Sequence, residues 1–92
     1  MRNNKQAFMR ELERLGLEVG EWEWQSNWLY EEGAFDISLE MGDGWQYADY
    51  YGEFRGGYQW ISDELKDLGR EYGYYFEWYN AAILCAVPEH LG

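Results

Sequence analysis

Seven residues, 35 to 41, constrain the fold of this chain more than any others. Phe35, Ile37, Leu39 and Met41 alternate there with Asp36, Ser38 and Glu40. A strand turns successive side chains to opposite faces, so this run requires a sheet with one covered and one polar side. Two helices can supply the cover. Phe8, Leu12 and Leu15 recur at helical spacing, with Met9 beside them. That stripe predicts a helix capped by Asn3 or Asn4 and ended by Gly16, with Leu17 folding back on it. Ile61, Leu65, Leu68 and Tyr72 form a second stripe. Ser62 is placed to cap that helix, Asp63 and Glu64 occupy its positive first turn, and Gly73 closes it.

Further strands follow from the same periodicity. Trp22 and Trp24 alternate with Glu21 and Glu23, the pattern of a half-buried strand that Trp28, Leu29 and Tyr30 extend. Gly20 marks its start or a bulge, and Glu31-Glu32-Gly33 reads as a turn. Gly42-Asp43-Gly44 makes a tight reversal into a third strand from about Trp45 to Tyr51. Asp49 shares that strand's ring-bearing face and needs water or a partner. Residues 52 to 59 form a glycine-rich loop without a phosphate-binding pattern. Tyr74, Phe76 and Trp78 then alternate with Tyr75, Glu77 and Tyr79. Asn80-Ala81 turns into an apolar strand from Ala82 to Val87, stopped by Pro88. The expected class is α+β, a single domain over residues 1–92. Its expected order is α-β-β-β-α-β-β, an antiparallel meander packed against two helices. The first five elements resemble the topology of double-stranded-RNA-binding domains, which grip phosphates with basic residues that this chain lacks.

Composition shows that such a core can be built. The 92 residues include six Trp, nine Tyr and four Phe, and each ring buries roughly 150–250 Å². Charge then narrows the partners. Eighteen acidic residues oppose seven basic ones, for a net charge of −11. Self-repulsion on that scale disfavours any polyanion. Direct nucleic-acid and anionic-membrane binding are therefore not expected, and a basic protein surface is. No apolar stretch reaches membrane-spanning length and no signal-peptide pattern is visible. Cys85, the lone cysteine, lies in an apolar run and reads as a core residue of a reducing compartment. The expected location is the cytoplasm.

Catalytic patterns are missing. His90 is the single histidine and stands beyond Pro88. No Ser-His-Asp set, credible Cys-His pair or HExxH motif occurs, and the EF-hand calcium loop pattern is absent. Neither an enzyme, a metal site nor a cofactor is expected.

The distribution of charge points to binding. From Leu15 to Phe54 there is no Lys or Arg, while ten acids stand there: Glu18, Glu21, Glu23, Glu31, Glu32, Asp36, Glu40, Asp43, Asp49 and Glu53. With the rings of Trp22 and Trp24 facing inward beside Phe35, Ile37 and Leu39, Glu21, Glu23, Asp36 and Glu40 share an outer face. Neighbours on it stand roughly 6.6 Å apart along each strand. Asp63, Asp67 and Glu71 recur at i, i+4 and i+8, about 6 Å per step along the second helix. Phosphates along a nucleic-acid strand repeat at a similar interval of a few ångströms. The expected contact set is Glu21, Glu23, Glu31, Glu32, Asp36, Glu40 and Asp43, with aromatic support from Tyr50 and Tyr58.

In size, acidity and lack of catalytic motifs the chain resembles small phage-encoded inhibitors of host defence, including anti-CRISPR proteins and other nucleic-acid mimics. That resemblance implies an acidic protein that blocks a basic nucleic-acid-binding site on a host nuclease complex, in the host cytoplasm. Three alternatives stay open. One is a protein-interaction module that uses an aromatic patch within a larger assembly. The others are a carbohydrate-binding domain and a halophile housekeeping domain whose acids only solubilise it.

Overall fold

The computed structural model describes residues 4–22, 28–52 and 57–91. Helix α1 (Lys5–Arg14) leads into strand β1 (Leu17–Gly20), a short helix α2 (Trp28–Glu31) and strand β2 (Phe35–Gly42). A 3-10 turn (Gly44–Gln46) precedes the two-residue strands β3 (Ala48–Asp49) and β4 (Trp60–Ile61). Helix α3 (Asp63–Tyr72), strands β5 (Tyr74–Asn80) and β6 (Ile83–Pro88) and a 3-10 turn (Glu89–Leu91) complete the chain. The class is α+β, and the two long helices and antiparallel sheets occur in broadly the expected order.

The strand arrangement departs from a simple meander. The main sheet runs β1-β2-β6-β5, and β3 and β4 pair only with each other. Every pairing is antiparallel. Strand β6 takes the central place because Leu84, Cys85, Ala86 and Val87 are apolar on both faces, and all four are buried. A strand between two others satisfies that run. The expected third strand shrinks to Ala48–Asp49, since the chain first spends Gly44–Gln46 on a 3-10 turn. Asp49 is buried, and its Oδ1 accepts from the Gly52 N–H at 3.2 Å. The sheet order also separates this fold from the double-stranded-RNA-binding topology.

The first strand is shifted toward the N-terminus relative to expectation. Leu17 and Val19 face the core, and Val19 pairs with Ile37. Trp22 lies beyond the strand and is 48% exposed. Its N–H donates at 2.8 Å to the Asp36 carboxylate and not to a neighbouring strand, which ends the ladder. Its ring covers Gly20, where a Cβ would meet the indole at 2.4 Å. Trp24 and Glu23 lie outside the described residues. Residues 28–31 are helical and do not extend a strand.

Both long helices bury one stripe. Phe8 and Leu12 of α1, and Leu65 of α3, are fully buried. The Phe8 ring is the hub, with centroids 5.5 Å from Phe35, 5.2 Å from Tyr72, 4.8 Å from Tyr74 and 6.1 Å from Phe76. Ser62 caps α3, its hydroxyl accepting from the Leu65 N–H at 3.1 Å. Gly73 closes that helix at φ 81°, a conformation that costs glycine little. Asn4 takes the N-cap position of α1 but makes no side-chain cap bond. Inside α3, Gly69 lets the helix approach β5. A Cβ there would stand 2.8 Å from the Phe76 ring and 3.1 Å from the Tyr74 carbonyl oxygen. No helix among the described residues is long and apolar enough to cross a membrane.

Candidate functional site

Sheet geometry disperses the acidic set expected from the sequence. Asp36 is not on an open face: it is fully buried. Its carboxylate accepts from the Trp22 N–H and the Tyr30 hydroxyl, both at 2.8 Å, and lies 3.4 Å from the Cys85 thiol. Trp22 and Tyr30 thus supply donors that turn an outward-facing position into an interior one. A buried carboxylate needs such partners, since desolvation without them is expensive. Asp36 is therefore a structural residue. Cys85 is the core thiol its apolar run implied.

The remaining members do not converge. Glu21 is exposed but ion-paired with Lys5. Glu31 and Glu32 are exposed near the start of β2, and His90 Nε2 lies 3.7 Å from Glu32 Oε1. Glu40 and Asp43 are exposed at the far end of that strand. Eight residues of strand separate those ends by roughly 23 Å. Glu23 lies outside the described residues.

Carboxylates do gather between the helices. Glu11 of α1 and Glu64, Asp67 and Glu71 of α3 surround Leu15 and Leu68 in a cleft of about 340 Å³. The helical period explains the grouping: at about 100° per residue, positions 64, 67, 68 and 71 fall on one flank of α3 when Leu65 points inward. The α3 carboxylates here start at Glu64, and Asp63 of the expected stripe does not line the cleft. Glu11 is bonded to Arg14 at 2.6 Å, and Asp67 is paired with Arg70. No ion pair to Glu64 or Glu71 forms among the described residues. Glu11 and Glu64 escaped the sequence reading. The signal was available, because Leu68 has Glu64 and Glu71 one turn to either side and Leu15 has Glu11 one turn before it.

A second cleft of about 340 Å³ opens on the other flank of α3, lined by Ile61, Lys66, Arg70, Tyr74, Tyr75, Phe76 and Glu89. Tyr74 is its most perturbed group. Burial pushes the phenol up to about 12, and its hydroxyl donates to the Gly33 carbonyl at 2.6 Å. Burial, then the Glu77 charge, also raises the Tyr75 phenol.

No protein family, characterised protein or solved structure matches this chain.

Tyr50 and Tyr58 do meet. Their hydroxyls lie 2.9 Å apart, and Tyr58 is 68% exposed. The Tyr50 ring also packs edge-on against Tyr51 and Trp78, each at 5.2 Å. The shared bond splits the phenols: it holds Tyr50 below the ordinary value, because Tyr58 can donate to its phenolate, and raises Tyr58. Among the described residues, no group of three or more His, Cys, Asp or Glu is placed to hold a metal ion. The exposed carboxylates can accept from guanidinium or ammonium groups, and the ring faces can hold the stems that carry them.

Proposed function

We propose that this protein is a non-catalytic acidic binding protein that occupies a basic, nucleic-acid-binding surface of another protein, with the α1/α3 cleft at the centre of contact. The supporting observation is the ring of Glu11, Glu64, Asp67 and Glu71 around Leu15 and Leu68. Leucine accepts the aliphatic stem of a partner lysine or arginine, and the carboxylates accept its charged head. Glu64 and Glu71 are seven residues apart, about 10.5 Å along the helix, within the span of a few nucleic-acid phosphates. The net charge of −11 has the sign of the polymer being replaced and draws basic surfaces from a distance. The partner that fits is a nuclease complex of host defence, met in the host cytoplasm, as the resemblance to phage-encoded inhibitors implies.

Immobilised protein is expected to retain nucleic-acid-binding proteins from a bacterial lysate at low salt and to release them as screening shortens toward ~10 Å or less. The variant Glu64→Gln/Asp67→Asn/Glu71→Gln should lose that capture. Equal capture by the variant would overturn the assignment.

The exposed rings of Tyr51 and Tyr58, beside Tyr50 and Trp78, support a second reading: an interaction module led by aromatic contact. Binding that persists unchanged at high salt, and falls when Tyr58 becomes Ala, would favour it over the acidic cleft.

A further inference from the structure

We propose that Tyr50 and Tyr58 form an oxidative modification site, at which peroxide, acting through a haem peroxidase, joins the two rings by a carbon–carbon bond. This inference concerns a second site and does not rest on the acidic cleft.

The backbone holds the two phenols together. Their hydroxyls stand 2.9 Å apart and their ring centroids 5.2 Å apart, with the planes inclined at 70°. The Gln59 N–H donates to the Tyr50 carbonyl oxygen at 2.6 Å, which ties the residue after Tyr58 to Tyr50 itself. The chain also pinches between them: a Cβ on Gly52 would stand 2.1 Å from the Gly57 carbonyl oxygen. Gln59 takes φ 58°, a region that few residues other than glycine enter. Such a conformation persists only where its surroundings fix it. Trp78 of β5 braces the pair. Its ring packs edge-on at 5.2 Å from Tyr50, and its indole N–H donates to the Gln59 carbonyl oxygen at 3.4 Å.

Phenol chemistry supplies the step. Hydrogen peroxide, through the peroxidase, takes one electron and one proton from each phenol and is reduced to water. Each tyrosyl radical then carries its unpaired electron on the oxygen and on the Cε carbons beside it. Hydroxyl-to-hydroxyl contact brings Cε carbons of the two rings near each other, and a bond between two aryl rings tolerates steeply inclined planes. The radicals pair to form that bond. In each ring the hydrogen on the joined carbon then moves to the oxygen and restores the phenol. Rings already held in contact couple as an effectively unimolecular step. The Tyr58 hydroxyl, by donating to the Tyr50 phenolate, keeps Tyr50 below the ordinary phenol value, and a phenolate yields an electron more readily than a phenol.

Exposure and contact select this pair. Tyr58 is an exposed ring, so an oxidant reaches it without opening the fold. The Tyr30 and Tyr74 hydroxyls are directed elsewhere, to the Asp36 carboxylate and the Gly33 carbonyl. Tyr51 also lies 5.2 Å from Tyr50, but it presents edge against ring, whereas Tyr58 meets Tyr50 hydroxyl to hydroxyl. The product closes a covalent ring over residues 50–58. Such a cross-link restricts the unfolded chain and fixes the arrangement of an exposed aromatic surface.

The test treats the full chain with hydrogen peroxide and a haem peroxidase. Biphenol fluorescence should appear in the monomer. Trypsin cuts after Arg55, between the two tyrosines, and Tyr58 is the one tyrosine from Gly56 to Lys66. The cross-link should therefore join peptide 56–66 to peptide 15–55. Tyr50→Phe and Tyr58→Phe keep the ring and should each abolish it, while Tyr51→Phe should leave it; circular dichroism checks that the variants are folded. The cross-linked chain should unfold at a higher urea concentration than the untreated one. A ruthenium tris-bipyridyl photo-oxidant with persulfate, which works in urea as in buffer, should give several times more product from the folded chain than from the unfolded one. No biphenol in the peroxidase-treated chain, a cross-link that survives Tyr50→Phe, or an equal yield in urea overturns the proposal. A covalent dimer that grows with protein concentration in place of the monomeric product overturns it equally.

Discussion

The two flanks of α3 carry clefts of the same volume, about 340 Å³, and opposite charge. On one side Glu64, Asp67 and Glu71 face Glu11 across a leucine floor. On the other, Lys66 and Arg70 stand with Glu89 beside β5, and Arg70 reaches over to pair with Asp67. One ten-residue helix produces both because its sequence is phased. With Leu65 and Gly69 beneath, positions 66 and 70 rotate to one flank and 64, 68 and 71 to the other. A net charge describes the molecule from afar; at contact distance the same helix offers a partner two opposite chemistries.

Substitution of Phe8 tests what the clefts share. Its ring touches Tyr72 at the end of α3 and both Tyr74 and Phe76 of β5. Phe8→Ala should cost about 3–5 kcal/mol of folding stability by urea denaturation and degrade both clefts together. Gly69→Val should break the symmetry. Its Cβ would meet the Phe76 ring at 2.8 Å, costing about 1–3 kcal/mol and lifting α3 from β5, so the cleft on that flank is disturbed more than capture at the acidic one.

Alkaline titration separates the flanks without mutation. Because burial raises the Tyr74 phenol in the folded state to about 12 from 10.0, the unfolded chain releases this proton first. The stability it contributes is full below about pH 10 and is lost as pH rises through about 12. Thermal melts across that window should show the decline, and Tyr74→Phe should reduce it. The smallest effect belongs to the acidic flank: Glu64→Gln/Glu71→Gln should change stability within about ±0.5 kcal/mol. A large loss would mean that those acids hold the fold together.

Legibility in the sequence followed the strength of periodicity. Strand β2 was plain because its alternation is unbroken, and α3 because Ser62, Leu65 and Gly73 each fill a position with one physical use. Strand β1 was obscured by Trp22 and Trp24, whose alternation with glutamates imitates a strand more strongly than Leu17 and Val19 do. The central place of β6 was implicit in a run apolar on both faces, but nothing local names its neighbours. Asp36 shows the limit for the site. Position in an alternating strand assigned it a face, while donors from Trp22 and Tyr30, outside the strand, decided that this part of the face is closed. The acidic cleft joins residues more than fifty positions apart, such as Glu11 and Glu64, and only packing of α1 on α3 brings them together.

Buried Cys85 gives the molecule an internal clock. Its sulfur is covered on the polar side of the sheet, against Asp36. A thiol-specific alkylating reagent can reach it only when Trp22 and Tyr30 move off Asp36 or the whole sheet comes apart. With a single thiol in the chain, each labelled molecule records one such opening. The labelling rate, followed across denaturant, separates lifting of that cover from global unfolding.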